Sequence, residues 1–172
     1  MNIEIRRATE EDIDDLVHVF NDSLEYKRSL GDNTWGEDQF HEDELRAIMA
    51  RGDTYAGLVD ETAVASMSLE WSDKRVWGAK LGDDNNAAYI HKLAVKQNLR
   101  GRHLGEELIA WAGDLARSKG KSYLRLDCNK KNSGLIDYYS RLGFNQVGKA
   151  MLEEDNYQAT LMQKLIDVTD EI

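Results

Sequence analysis

Three groups of residues in this chain have the types and spacing for chemistry. The first is the run AAYIHKLAV–KQNLRGRHLG–EELIAWAGDLARSKG, residues 87–120. It reads as a strand, a glycine-containing loop and a helix. The first N–H groups of a helix lack intrahelical acceptors and carry the positive end of the helix dipole. A loop that ends there is a site for phosphate or pyrophosphate. Gly101 and Gly105 let backbone approach a ligand closely, and Arg100, Arg102 and His103 add positive charge. The plainer alternative is a tight turn that needs its glycines for conformation only. The second group is the strand itself, where alternation places Tyr89, His91, Leu93 and Val95 on one face. Histidine is the side-chain type suited to exchanging a proton near neutral pH, so His91 is a candidate base. The third is NSGLIDYYSRLGF, residues 132–144: a helix begun by Asn132, carrying Tyr139 and ended by Gly143.

These residues need a scaffold. Ile3 and Ile5 begin a strand, and Thr9 with Asp12 forms a capping-box start to a helix carrying Ile13, Leu16, Val17, Phe20 and Leu24. A polar loop from Gly31 to Asp38 carries Trp35, and His41–Arg51 forms a second, shorter helix. Strands are predicted over Tyr55–Val59 and Ala63–Leu69, joined by Asp60-Glu61. Trp71–Asn86 reads as a flexible excursion rich in Asp, Asn and Gly. Strand Ala87–Val95, a helix from Leu104 to near Gly120, strand Tyr123–Leu126, a helix to Leu142, and strands Phe144–Val147 and Gln158–Leu165 complete the chain. The order is β-α-α-β-β-β-α-β-α-β-β. That is an α/β protein, an α+β mixed sheet with helices on both faces, in one domain spanning 1–172.

Composition narrows the partners. The chain has 172 residues, no proline, and a formal net charge of −10, which disfavours nucleic acid or an anionic membrane as the main partner. Between Lys96 and Lys131, however, nine Lys/Arg face four acids, a local +5 that leaves −15 for the rest. A basic patch in an acidic chain suits a small anionic ligand, although solubilising surface charge would look the same. Cys128 is the single cysteine, so neither an intramolecular disulfide nor a multi-cysteine metal site is expected, and the metal expectation is none. The N-terminal stretch lacks the apolar core of a signal peptide, and a cytoplasmic location is the expectation. A dinucleotide-binding reading would rest on Asp127, about 20 residues past the glycine loop. It is disfavoured because GxGxxG is absent and only one good βαβ unit is present.

The segments YIHKLAVKQNLRGRHLG and LRLDCNKKNSGLIDYYSRLGF resemble the cofactor-binding core of the GNAT superfamily of N-acetyltransferases. Its first signature, Q/R-x-x-G-x-G/A after an L-A-V-like strand end, is met by Arg100 and Gly105. His103 stands where the family usually has glycine, and the substitution fits only if its backbone stays at negative φ. The second signature, N-x-x-A-x-x-Y/L-Y-x-x-x-G-F, is met by Asn132, Tyr139, Gly143 and Phe144. The resemblance implies the GNAT acyl-CoA N-acyltransferase fold and acetyl-CoA as acyl donor. It implies that Leu93, Ala94 and Val95 pair with the pantetheine and acetyl group. The loop Arg100, Gly101, Arg102, His103, Leu104, Gly105 would hold the pyrophosphate. Asn132 would bond the pantetheine arm or cap its own helix, and Tyr139 would protonate the departing thiolate. A non-catalytic acyl-CoA-binding module is the alternative.

Acetylating an amine requires a base for the ammonium proton. The strand is similar to that of arylalkylamine N-acetyltransferases, which carry two histidines there: His91 matches the second and Tyr89 stands in place of the first. Glu70 is a lesser candidate base. The acceptor is expected to be a small-molecule or peptide amine, met by Tyr26, Trp35 and Tyr89, with Phe40 and Trp71 nearby. Acids such as Glu25, Asp32, Glu37 and Asp38 would favour a cationic amine.

Overall fold

The apolar spacing of Ile13, Leu16, Phe20 and Leu24 becomes the buried face of helix α1 (Ile13–Ser29) in a computed structural model that describes residues 1–78 and 86–166. Val19 lies on that face, whereas Val17 is only half-buried. A 3-10 turn, Glu10–Asp12, precedes α1. There the Thr9 N–H donates to the Asp12 carboxylate at 2.7 Å, and Arg6 grips the same carboxylate with two nitrogens at 2.8 and 3.0 Å. The remaining elements are strand β1 (Glu4–Arg7), helix α2 (Glu42–Arg51), strands β2 (Asp53–Val59), β3 (Thr62–Glu70) and β4 (Ala87–Val95), helix α3 (Leu104–Ser118), strand β5 (Tyr123–Asn129), helix α4 (Ser133–Arg141), and strands β6 (Asn145–Leu152) and β7 (Tyr157–Leu165). Their order is the predicted one.

The strands form a seven-stranded sheet in the order β1-β2-β3-β4-β5-β7-β6. β4 and β5 are parallel, whereas β1–β2, β2–β3, β5–β7 and β6–β7 are antiparallel, so the sheet is mixed. The parallel ladder pairs Ala87–Tyr89 with Tyr123–Arg125.

Chain contacts divide into two compact units. One comprises Met1–Leu69 and His91–Trp111. Its core joins Ile13, Leu16 and Phe20 of α1 to Leu45 and Ile48 of α2 and to Ala56, Leu58 and Ala63 of the β2–β3 hairpin. Asp60 and Glu61 turn that hairpin with φ of 48° and 65°, the two positive angles a two-residue type I′ connection needs.

The other unit comprises Glu70–Ile90 and the chain from Ala112 onward. Its core gathers Val76, Trp77, Ala87, Tyr89, Ala150, Ala159 and Leu161. The predicted flexible excursion is corrected over Trp71–Gly78; the part at 79–85 lies outside the described residues. Trp77 and Val76 are buried, held by bonds from the Trp77 N–H to the Asp73 carbonyl (3.2 Å) and from the Val76 N–H to the Asp73 carboxylate (3.0 Å). A Cβ on Gly78 would stand 2.6 Å from the Lys74 carbonyl oxygen, which is why the turn closes with glycine.

Candidate functional site

In the first unit the second half of β4 leads through a 3-10 turn, Gln97–Leu99, into the glycine loop and α3. Within β4, Lys92 has φ +52°, so strict alternation does not run unbroken from His91 to Leu93 and Val95. The expectation that Tyr89, His91, Leu93 and Val95 share one face is corrected at that residue. His91, Leu93 and Val95 are half-buried and Ala94 is buried.

The loop has a backbone of alternating sign. Arg100 sits at φ −61°, Gly101 at +77° and His103 at +62°, and Arg102 is not among the positive-φ residues. The loop opens as a turn of type II form, with Arg100 extended (ψ 146°), the Arg102 N–H closing on the Leu99 carbonyl at 3.3 Å and the Arg100 N–H returning to the Gln97 carbonyl at 3.3 Å. It lies at the start of α3, where the N–H groups of the first turn have no intrahelical acceptor. His103 therefore corrects the expectation of negative φ: it takes the left-handed conformation of the glycine it replaces. Histidine is among the non-glycine residues enriched there. Its Nδ1 lies 2.8 Å from a Glu106 carboxylate oxygen, and its carbonyl accepts from the Glu107 N–H at 3.1 Å. The side chain is 73 % exposed, so nothing crowds the loop. Arg102 is exposed, while Leu104 and Gly105 are buried and anchor the helix end.

α1 braces this segment. The Ser23 hydroxyl donates to the Val95 carbonyl at 3.4 Å, and Asp22 accepts from the Gln97 N–H at 3.1 Å. The Arg100 guanidinium carbon stands 3.4 Å from the centroid of the Tyr26 ring. Burial lowers the Arg100 pKa from its ordinary value, against opposing contributions from Tyr26 and Asp22. One face of Tyr26, expected to receive a cationic acceptor, is thus covered by an arginine of the loop.

Trp35 packs with Phe20 and Phe40 at ring separations of 5.9 and 6.0 Å. Its ring is met by the Lys27 and Lys92 ammonium groups, 5.2 and 4.8 Å from the centroid. The loop is folded, not slack: Asn21 bonds both the N–H and the carbonyl of Phe40 (2.7 and 3.0 Å). The buried Asp32 pairs with Lys27 at 3.2 Å and accepts from Thr34. Of the acids expected to attract a cation, Asp32 has an internal lysine, and Glu25, Glu37 and Asp38 are exposed.

In the second unit α4 positions Asn132 and Tyr139. The Asn132 side-chain oxygen accepts from the Leu135 N–H at 3.1 Å, so it caps the helix. The far end is a Schellman closure: the Phe144 N–H reaches the Tyr139 carbonyl at 3.1 Å and the Gly143 N–H reaches Ser140 at 3.1 Å, with Gly143 at φ +92°. The accompanying apolar contact is Tyr139 against Phe144, ring centroids 5.7 Å apart. The Y-x-x-x-G-F spacing is thereby a device that fixes Tyr139. Its ring is 6 % exposed, and burial, then proximity to Cys128, pushes the phenol well above its ordinary pKa. It stays protonated through the neutral range and is chemically a proton donor.

Tyr89 does not stand at a surface that meets an acceptor. It is 2 % exposed, its hydroxyl lies 2.9 Å from an Arg125 nitrogen, and its ring packs edge-on to Trp77 at 5.9 Å. Arg125 is the residue the sequence reading misplaced. Counted in the basic patch, it is instead 3 % exposed, bonded to Gln163 at 2.8 Å, with Trp77 4.9 Å and Tyr123 5.7 Å away. The signal was the expectation of helices on both faces, which leaves no strand face free for an exposed arginine. Asp127, the acid weighed for a ribose, receives the Tyr157 hydroxyl at 2.6 Å. Glu70, the lesser base candidate, ends β3 half-buried. Among the described residues no helix is long and apolar enough to cross a membrane.

A family model described as the acetyltransferase (GNAT) family matches residues 13–144. The chain is 28 % identical over 153 residues to the uncharacterized N-acetyltransferase YesJ of Bacillus subtilis, covering 82 % of this chain and 81 % of that one. Among solved structures, a GNAT-family acetyltransferase from Streptococcus agalactiae superposes with a TM-score of 0.80 at 20 % identity, covering 96 % of each chain. The PaiA N-acetyltransferase from Thermoplasma acidophilum, solved in complex with coenzyme A, gives 0.72 at 19 % identity, covering 96 % of this chain and 99 % of that one. At such identities the two structures speak for the fold.

Proposed function

The chain belongs to the acetyltransferase (GNAT) family, and from that premise we propose that it transfers the acetyl group of acetyl-CoA to a primary amine of a small molecule or peptide, by direct attack in a ternary complex. The observation that carries this reading is the loop from Arg100 to Gly105, with positive φ at Gly101 and His103, that leads into the N-terminus of α3. It suits the donor pyrophosphate through main-chain N–H groups, with Arg100 and Arg102 adding charge. Leu93, Ala94 and Val95 pair with the pantetheine arm. Asn132 acts through its cap on α4, which sets Tyr139 in place.

The reaction needs two proton transfers. The acceptor must lose a proton before its lone pair attacks the thioester carbon, and His91 is the base for that step. The C–S bond then breaks, its electron pair leaves on sulfur, and the buried Tyr139 phenol supplies the proton. The single family-model match running through 13–144 spans both compact units, which supports one acetyltransferase domain. The irregular His103 was the reason to entertain a non-catalytic acyl-CoA-binding module. A loop that keeps the glycine-like backbone at His103 supports the enzyme reading over that module. The test is a thiol-release assay with acetyl-CoA and a panel of amines. Amine-dependent release is expected, and binding of acetyl-CoA without release by any amine would replace the enzyme with the binding module.

A further inference from the structure

The stack of Arg100 on Tyr26 is the third of three contacts that α1 makes with one short stretch of chain. Asp22 and Tyr26 are four residues apart, hence on one side of the helix, and Ser23 adjoins them. Ser23 holds the last carbonyl of β4, Asp22 holds the N–H that opens the 3-10 turn, and Tyr26 lies under the side chain that opens the glycine loop. Two of the three fix backbone. The third fixes the side chain that stands first in the anion-binding loop.

An arginine side chain has many rotamers, and ordering it when a ligand binds opposes affinity. A ring 3.4 Å from the guanidinium carbon removes much of that freedom beforehand. Stacking occupies a face of the planar group, whereas its N–H donors lie in the plane, where oxygen acceptors can meet them. A stacked Arg100 is therefore ready for a bidentate contact with phosphate oxygens.

We propose that Tyr26 is a positioning residue for the donor pyrophosphate, acting through Arg100, and not a contact for the acceptor amine. The inference rests on reading the Arg100–Gly105 loop as the acetyl-CoA site. Its consequence is a specificity split: changes at Tyr26 alter the donor side of the reaction alone.

The experiment measures acetyl-CoA binding by calorimetry and steady-state kinetics for wild type, Tyr26→Phe, Tyr26→Leu, Tyr26→Gln, Arg100→Ala and the Tyr26→Leu/Arg100→Ala double variant. Loss of the ring is expected to raise the acetyl-CoA Kd and KM about 3- to 10-fold, with kcat at saturating donor and the acceptor KM retained. Tyr26→Phe keeps the ring face and should recover most of the affinity. The double variant should bind no more weakly than Arg100→Ala alone, because Tyr26 acts only through that arginine. Leucine and glutamine both suit a helix, so a folding failure of one leaves the other to decide. An unchanged donor Kd, a raised acceptor KM, or additive losses in the double variant would each overturn the proposal. Wild type failing to bind acetyl-CoA is a different result: it removes the donor-loop reading itself, and the role of Tyr26 with it.

Discussion

His91 and Tyr139 make opposite demands on pH. The base must be neutral to accept a proton, so kcat/KM should fall as pH drops and the imidazole becomes charged. The acid must be protonated, and burial raises the Tyr139 pKa, so its loss of function on the alkaline side moves beyond the ordinary tyrosine range. His91→Ala is expected to lower kcat/KM by roughly 10²–10⁴-fold and to flatten the acid limb. A retained acid limb in that variant would take His91 out of the mechanism. Tyr139→Phe should reduce kcat by a comparable factor while acetyl-CoA affinity, measured by calorimetry, stays near wild type. These two candidates stand out in the sequence because their neighbours form motifs. Tyr26 and Tyr89 do not: a lone tyrosine says nothing of what lies over its ring. Here the partners are arginines from distant stretches, Arg100 and Arg125.

At the scale of elements, helix ends position the candidate residues, and their chemistry can be tested apart from catalysis. Gly143 holds φ +92° in the Schellman closure that ties Phe144 to Tyr139. Gly143→Ala meets ordinary contacts with the Lys164 side chain, so its cost is conformational, about 1–2 kcal/mol in urea unfolding. Asn132→Ala removes the cap at the other end of α4, and about 1 kcal/mol is expected. Because both changes loosen the helix that carries Tyr139, each should also lower kcat more than it raises the donor KM. A variant with the full stability loss and unaltered kcat would show that Tyr139 is placed by something other than its helix. The helices were readable from the sequence because capping residues and apolar spacing mark them. β6 was read only to Val147, five residues short of its end at Leu152. It is an edge strand with most residues exposed, so the alternation that reveals a half-buried strand is missing. The turn at Trp71–Gly78 was hidden for the converse reason: its polar composition looks like loop, while two of its three apolar residues, Val76 and Trp77, are what the second unit buries.

For the molecule as a whole, the element order could be read from the sequence, but the strand order could not, since β6 and β7 exchange places at the end of the sheet. The Thr9–Asp12 capping box was legible in the sequence, whereas the Arg6 side chain that ties β1 to it was not. That link is electrostatic and predicts an acid response. Asp12 is buried beneath Arg6 and takes three further-reaching roles at once: partner to two guanidinium nitrogens and acceptor for the Thr9 N–H. The Arg6 hydrogen bond, working against burial and aided by the Thr9 N–H, lowers its pKa below the usual carboxylate value. A group whose folded pKa is depressed binds its proton more readily when unfolded, so stability must rise with pH through that interval. The contribution of Asp12 is therefore complete above the unfolded value, near 4, and is lost as pH falls through the lower folded value. Arg6 is partly exposed, and solvent screening holds the expected contribution to about 1 kcal/mol. Asp12→Asn should thus cost about that much in urea unfolding at neutral pH. The gap to wild type should begin to close as pH falls below about 4, where the unfolded carboxylate takes up its proton, and should vanish once pH passes the lower folded value. Unfolding curves that keep a constant separation from pH 7 down to pH 3 would show that Asp12 stabilises the link by hydrogen bonding alone, with no contribution from its charge.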